Sequence, residues 1–203
     1  MSTRRALIGG LMAAPAWALA AGSPGDVLAR AARAQVGVTT DYDPAYVRLA
    51  YPGGDVPRTT GVCCDVVIRA ARDAWKADLQ RLIHEDMTRH FGAYPQAWRL
   101  AKPDTHIDHR RVLNLETYWA RIGAQVWRAR GPAFGQGVPG PLAAGDILTW
   151  RLSIGDRPHV GIVVTGGDKP RVVHNIGQGA RDESLADLWQ LKPVGHYRWR
   201  PTA

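Results

Sequence analysis

The chain contains very little cysteine. Only two of its 203 residues are cysteines, and these two, Cys63 and Cys64, are neighbours. A disulfide between neighbours distorts the peptide that joins them and is rare, so the sequence argues against a structural disulfide. Long runs of lysine or arginine are also lacking, although the formal net charge is +8. This argues against nucleic acid as a partner, while a mild positive charge suits solubility or an anionic envelope polymer.

Residues 1–20 are predicted to be an export signal. Arg4 and Arg5 form a basic start, residues 6–15 are mostly apolar, and Ala-Leu-Ala at 18–20 is typical of a cleavage site. The apolar run is too short to span a bilayer, so we expect no stable membrane insertion after the signal is removed. The paired arginines suit a twin-arginine signal as well as an ordinary Sec signal. We predict a periplasmic or extracellular protein in which residues 21–203 form one domain.

The hydrophobic pattern predicts helices first and strands afterwards. Helical spacing covers residues 26–36, 62–76, 78–90 and 115–122, the last with Asn114 as its N-cap. Alternating spacing predicts strands at 146–152, 159–165, 171–175 and 195–199, with a short helix at 184–190. This order favours the α+β class, with N-terminal helices packed on a C-terminal antiparallel sheet.

Cys63 and Cys64 stand near the start of the second predicted helix. The first turn of a helix has a positive potential, which lowers the pKa of a thiol there and favours the nucleophilic thiolate. Both cysteines lie on the apolar arc of that helix, so helical spacing does not choose between them. In an exported chain, thiols without an obvious partner favour a catalytic role, with a disulfide between two chains as the competing interpretation.

His159 begins one predicted strand and His174 lies in the next. If Gly166 and Gly167 form a two-residue turn, His159 is directly opposite His174. A loop two residues longer keeps both rings on one face, whereas a change of one residue separates them. Pro170 cannot donate a ladder hydrogen bond, so this end of the hairpin is expected to be irregular or at an edge.

A cysteine and two histidines are the residue types that a cysteine hydrolase uses for catalysis. A thiolate attacks a carbonyl carbon, His159 accepts the thiol proton and returns one to the leaving amine, and His174 orients the ring of His159. The backbone N–H of Cys63 is a candidate to stabilise the oxyanion. Taken singly, a buried cysteine or a strand histidine is more often a packing residue, so the argument depends on their joint arrangement.

A second cluster offers a rival site. Four possible metal ligands stand close together in the chain, namely Asp104, His106, Asp108 and His109. They could hold zinc or a harder cation in a metal-dependent hydrolase, but their spacing fits no familiar metal motif, and a loop stabilised by salt links is the better explanation. If they serve a cysteine hydrolase instead, Asp65, Asp104, Asp108 and His109 are candidates for substrate contacts. We expect no metal and no other cofactor.

Part of the chain resembles a known class of enzymes. Asp-Ile-Leu-Thr-Trp at 146–150, His-Val-Gly-Ile-Val at 159–163 and Val-His at 173–174 resemble the core of NlpC-type cell-wall cysteine peptidases, which are papain-like enzymes that cut peptidoglycan peptides. The resemblance implies a catalytic triad of Cys63, His159 and His174. One departure is that those enzymes usually have Asp-Cys-Ser-Gly around the nucleophile, where this chain has Val-Cys-Cys-Asp at 62–65.

A closer resemblance covers nearly the whole chain after the signal. It is carried by the segments at 61–63, 65–70, 84–87, 103–105, 107–111, 174–177 and 195–198. These resemble the bacterial family known as domain of unknown function 1287. Its pattern has a cysteine at the position of Cys63 and commonly a threonine at Cys64, which favours Cys63 as the nucleophile. At His106 the pattern often has asparagine, which weakens a metal-ligand role there.

We therefore predict an exported cysteine hydrolase, a thiol peptidase or amidase, that acts on amide bonds of the cell envelope. Peptidoglycan peptides are the expected substrate because the resemblance and the predicted compartment agree. Acyl transfer and thioester hydrolysis would use the same three residues. The alternatives are a non-catalytic module that binds envelope glycopeptide and the metal-dependent hydrolase described above.

Overall fold

The computed structural model describes residues 22–131, 137–188 and 191–201, so the predicted export signal lies outside the described residues. The helices in this part of the chain are α1 Pro24–Arg33, α2 Cys63–Trp75, α3 Leu79–His90 and α4 Val112–Arg121. The strands are β1 Gln125–Arg128, β2 Ile147–Arg151, β3 Pro158–Thr165, β4 Arg171–Asn175, β5 Ala180–Ser184 and β6 Lys192–Tyr197. The described residues include no helix that is long and apolar enough to cross a bilayer.

The strands form one antiparallel sheet in the order β1-β6-β2-β3-β4-β5. Four helices and a six-stranded antiparallel sheet confirm the predicted α+β class. Helix α2 contacts β3 and β4 near the middle of the sheet. The first residue of α2 therefore reaches the strands that carry both histidines.

The position of α2 is set by its apolar face. Val66, Val67 and Ala70 are completely buried and belong to one hydrophobic cluster with Ile162 and Val173 of the sheet. Each fully buried valine or isoleucine contributes about 1.5–3 kcal/mol relative to an exposed one. This packing fixes the helix against the sheet along its length.

Arg69 lies on the polar side of α2 but is not exposed to solvent. The Arg69 side chain is fully buried and donates hydrogen bonds to the Asp55 carboxylate at 3.0 Å and to the carbonyl of Thr60 at 2.9 Å. Both acceptors lie in the long loop of residues 37–61 that precedes α2. Arg69 therefore fastens this loop over the helix, just before the cysteines.

The predicted N-cap of α4 and the predicted helix at 184–190 are wrong. Helix α4 begins at Val112, and Asn114 is not its N-cap because the Asn114 amide donates to the carbonyl of Asp108 at 3.0 Å. The helix predicted at 184–190 is replaced by the end of β5 and a 3₁₀ turn at Leu185–Leu188, while residues 189–190 lie outside the described residues. Strand β5 pairs with β4 although its sequence has no apolar alternation.

The predicted pairing of His159 directly opposite His174 is also wrong. Ile162 pairs with Val173, and the register shifts between Val163 and Thr165, so the connection spans residues 166–170 rather than Gly166 and Gly167 alone. Continuing the register places Gly161 opposite His174. The pairing has moved by two positions, which leaves both histidines on one face of the sheet.

Gly161 makes room for the two rings to meet. A Cβ atom at this position would lie 3.1 Å from the Cβ of His174 and 2.6 Å from Cγ1 of Val172. Any side chain at residue 161 would therefore push His174 or Val172 aside. With glycine here, the imidazole of His159 reaches diagonally to His174.

Candidate active site

Cys63 is the first residue of α2, and the residues around it fix where the helix starts. The N-cap, Val62, has no side-chain acceptor, and the carboxylate of Asp65 accepts the Val62 N–H at 2.7 Å instead. Gly61 allows this approach, because a Cβ there would lie only 3.0 Å from the Asp65 carboxylate, and its φ of 154° also suits glycine. The Cys63 thiol is thereby held at the positive end of α2.

A buried ion pair supports this helix start. Arg110 donates to both carboxylate oxygens of Asp65 at 2.9 Å, and the two side chains are only 2% and 4% exposed. The same guanidinium donates to the carbonyls of Asp43 and Ala45 at 3.3 Å. Arg110 thus joins the loop of residues 37–61 to the first turn of α2.

Replacing Arg110 by leucine is expected to destabilise the protein by about 3–5 kcal/mol, because the Asp65 carboxylate would remain buried without its partner. The measurement is urea unfolding followed by circular dichroism. The control is Arg58→Leu, which breaks an exposed pair with Asp73 and should cost at most about 1 kcal/mol. Equal losses in the two variants would show that the buried pair has no special importance.

His159, His174 and Glu183 form a chain of hydrogen bonds across three strands. Nε2 of His159 lies 2.8 Å from Nδ1 of His174, and Nε2 of His174 lies 2.9 Å from a carboxylate oxygen of Glu183. Both histidines are buried, whereas the Glu183 side chain is 30% exposed. The Trp150 ring packs beside His159, with the ring centres 6.0 Å apart. The imidazole of His159 is therefore held in one orientation.

These contacts determine where the protons lie. The ionised carboxylate of Glu183 can only accept, so His174 carries its proton on Nε2 and its Nδ1 is an acceptor. His159 must then donate its Nε2–H to that nitrogen, which leaves Nδ1 of neutral His159 without a proton. His159 is close enough to Cys63 to lower the pKa of its thiol. The free Nδ1 is thus available to accept the proton of the thiol.

His174 carries no charge at neutral pH within this chain of hydrogen bonds. Burial, followed by the neighbouring His159, lowers its pKa to about 4, although Glu183 acts in the opposite direction. At neutral pH His174 therefore positions His159 without adding a positive charge of its own.

The two thiols have opposite pKa shifts. A hydrogen bond from Cys64 lowers the pKa of Cys63 well below that of a free thiol, and His159 lowers it further, against the effect of burial. Burial raises the pKa of Cys64 well above that value, and its hydrogen bond to Cys63 adds to the increase. This asymmetry favours Cys63 as the thiolate and Cys64 as a donor to it.

A cavity of about 220 Å³ opens beside the cysteines. Tyr42, Trp98, Arg111 and Pro158 are among the residues of its wall. Burial raises the pKa of the Tyr42 phenol to about 12, and the nearby Cys63 and Cys64 add to the rise. The phenol therefore keeps its proton at neutral pH and can donate a hydrogen bond into the cavity.

The model of a protein family described as "Domain of unknown function (DUF1287)" matches residues 29–199. The chain belongs to the DUF1287 family. This confirms the closer of the two resemblances inferred from the sequence. A relative from Escherichia coli (strain K12), named "Uncharacterized protein YijF", is 50% identical over 175 residues, which cover 85% of this chain and 80% of the relative. No solved structure matches the chain.

In this DUF1287 protein the structure brings Cys63, His159 and His174 together, but none of the four other candidate residues lines the cavity. Asp65 is paired with Arg110, and Asp108 is paired with Arg111 at 2.9 Å. Neither carboxylate belongs to the lining of the cavity. Their contacts favour a role in holding two arginines over a role in touching substrate.

Of the other two candidates, Asp104 is engaged by hydrogen bonds and His109 is buried. Asp104 accepts hydrogen bonds from the Tyr46 hydroxyl at 3.0 Å and from the backbone N–H of His106 at 2.9 Å. His109 is buried, and burial followed by the charge of Arg110 lowers its pKa to about 4. Across the described residues, no group of three or more His, Cys, Asp or Glu side chains is placed to hold a metal ion.

Three site residues of the DUF1287 protein are not predicted by the sequence. Tyr42 lies in the loop of residues 37–61, where no sequence pattern distinguishes it from its neighbours. Arg111 stands in a run of charges that is typical of a solvated loop. Glu183 lies in a strand with no apolar pattern, so no sequence signal places it beside His174.

Proposed function

We propose that this DUF1287 protein is an exported cysteine hydrolase, a thiol peptidase or amidase with a papain-like arrangement of helix and sheet. The proposal rests on one observation, the chain of hydrogen bonds from Glu183 through His174 that leaves Nδ1 of His159 free beside Cys63. A base in this state next to a thiol of lowered pKa is the arrangement that nucleophilic catalysis requires.

The reaction follows from these positions. Cys63 transfers its proton to Nδ1 of His159, and the thiolate attacks the carbonyl carbon of an amide to form a tetrahedral intermediate. The intermediate collapses when the C–N bond breaks, and His159 returns the proton to the leaving amine. A water molecule then gives a proton to His159 and attacks the thioester, which releases the carboxylic acid and restores the Cys63 thiol.

The neighbouring groups act on charges that develop during this sequence. When His159 becomes an imidazolium ion, its Nε2–H stays bonded to His174, and the Glu183 carboxylate stabilises the positive charge through that ring. The backbone N–H of Cys63, at the start of α2, is a candidate donor to the oxyanion. The protonated phenol of Tyr42 is a second candidate, because it lies in the same cavity wall.

The proposed substrate is a peptide of the cell envelope, with peptidoglycan peptides as the specific candidate. This part rests on the export signal inferred for residues 1–20 and on the likeness of the motifs at 146–150, 159–163 and 173–174 to NlpC-type peptidases. Cys63 and Cys64 are both free thiols, as a thiol enzyme needs.

The pH dependence of alkylation tests the proposed thiolate–imidazole pair. The protein without residues 1–20 is treated with iodoacetamide between pH 5 and 9, and Cys63 and Cys64 are read separately by peptide mass spectrometry. Cys63 is expected to react with an apparent pKa well below the value of about 8.5 for a free thiol. In His159→Ala its rate at pH 6.5 should fall by about tenfold or more, since a thiol whose pKa returns to about 8.5 is only about 1% thiolate at that pH.

Two comparisons make this result specific. Cys64 in the same digests should react slowly across the pH range, because burial and its bond to Cys63 raise its pKa. His90→Ala removes an exposed histidine of α3 and should leave the profile of Cys63 unchanged. Slow alkylation of both cysteines that is insensitive to His159 would contradict the hydrolase proposal and leave a non-catalytic binding module as the better explanation.

A further inference from the structure

The cavity beside Cys63 has a cationic wall. Among the described residues that line it, only two carry a charge, and both are arginines, Arg110 and Arg111. The remaining lining is apolar or aromatic, apart from the two thiols and the Tyr42 phenol. The carboxylates nearest to these arginines, Asp65 and Asp108, lie outside the lining.

The two arginines differ in how many of their donors are used. Arg110 bonds through Nε, Nη1 and Nη2, since both oxygens of Asp65 and two backbone carbonyls accept from it. Arg111 donates only through Nη1, to Asp108 at 2.9 Å. Within the part of the chain that the structure describes, no acceptor bonds Nε or Nη2 of Arg111. Arg110 is therefore a structural cation, whereas Arg111 has unused donors in a cavity wall.

The guanidinium of Arg111 is also held in place. Its central carbon lies 4.0 Å from the centre of the Trp98 ring, and Trp98 is part of the same wall. Asp108, which is 2% exposed, fixes one edge of the guanidinium from behind. A stacked guanidinium with one edge fixed loses little conformational entropy when a ligand binds to its other donors. The paired N–H groups of arginine match the two oxygens of a carboxylate.

We propose that Arg111 forms a subsite for a carboxylate of the substrate, so that the amide attacked by Cys63 belongs to a peptide with a free carboxylate close to the scissile bond. The inference rests on the proposed hydrolase function and narrows its substrate to acidic peptides. Helix α4 begins at the next residue, without a side-chain hydrogen bond at its N-cap, and its positive end adds to the same potential. The subsite itself depends on the guanidinium and not on the helix.

The test compares two alkylating reagents of equal length at Cys63. N-iodoacetylglycine carries a carboxylate, and N-iodoacetylglycinamide has a neutral amide in its place. The ratio of their rate constants at pH 6.5, relative to the same ratio for a free cysteine peptide, measures attraction of the carboxylate. For the wild-type protein this relative ratio should be about ten, as expected for one charge-assisted hydrogen bond between the carboxylate and the protein.

Three variants identify the group responsible. Arg111→Gln should bring the relative ratio close to one, and Arg111→Lys, which keeps a charge beside Asp108 but has no planar guanidinium, should give an intermediate value. Arg48→Gln removes the same charge from an exposed position outside the cavity lining and should leave the wild-type ratio. Because both reagents react with the same thiol, the ratio cancels any change that a variant causes in the reactivity of Cys63 itself.

The outcomes separate the two proposals. If Cys63 of the wild-type protein reacts no faster with the neutral reagent than a free thiol does, the hydrolase proposal fails. If Cys63 reacts fast but the ratio is the same in wild type and in Arg111→Gln, the carboxylate subsite is overturned and the hydrolase proposal stands. Should the glutamine variant not fold, a wild-type ratio in Arg111→Lys overturns the guanidinium subsite by itself.

Discussion

Cys63→Ala is expected to abolish amide hydrolysis, with a loss on the order of 10⁶-fold in turnover, as for removal of the nucleophile from other covalent hydrolases. Alanine leaves no atom that can form the thioester. The measurement is release of soluble peptide fragments from purified peptidoglycan, read by mass spectrometry. Because Cys63 lies at a helix start and its thiol is small, the variant should keep the fold, which circular dichroism would verify.

The matched control is the neighbouring cysteine. Cys64→Ser keeps a hydrogen-bond donor next to Cys63, so activity should stay within about tenfold of the wild-type value. Cys64→Ala removes the donor and should therefore raise the pKa of Cys63. If Cys64→Ser were inactive while Cys63→Ala kept activity, Cys64 would be the nucleophile. If both single variants retained full activity, the reaction would not use a thiol.

The three proposed catalytic residues could be predicted from the local periodicity of hydrophobic residues in the sequence. Helical spacing placed Cys63 at the start of α2, and alternating spacing placed His159 and His174 on adjacent strands. The two rings share a face only if the loop and any bulge together change the register by an even number. The two-residue turn was wrong, because the connection spans residues 166–170, which alone would separate the rings. The one-residue register shift between Val163 and Thr165 restores the parity, so the histidines still meet.

The supporting residues could not be predicted, because they depend on contacts between distant segments. The stripe of α2 that contains Arg69 has the spacing of a solvated face, and only closure of the loop of residues 37–61 buries it. The sequence Ala-Arg-Asp-Glu-Ser of β5 offers no apolar period, so the position of Glu183 follows from strand pairing alone. Similarly, Arg110 and Arg111 are neighbours in the chain, and only the structure distinguishes the fully bonded one from the one with unused donors.

The second large effect on turnover is expected at residue 174, whose side chain must accept the Nε2–H of His159. His174→Leu is expected to lower turnover by roughly 10²–10⁴-fold, because no atom would accept the Nε2–H of His159 and the ring could adopt the wrong tautomer. His174→Asn keeps a side-chain oxygen that can accept this proton and should retain activity within about tenfold. Since residue 174 is buried, both variants change packing, but only leucine removes the acceptor.

The alkylation profile of Cys63 distinguishes loss of the acceptor from a change in packing, because packing alone would not shift it. In His174→Leu the alkylation profile of Cys63 should shift to higher pH, because an unoriented His159 stabilises the thiolate less, while His174→Asn should keep a profile close to that of the wild type. Turnover should fall far more than the Michaelis constant changes, since residue 174 does not line the cavity. Equal losses in both variants, with unchanged alkylation profiles, would mean that His174 only fills space beneath His159. The chain of hydrogen bonds to Glu183 would then have no part in activating the thiol.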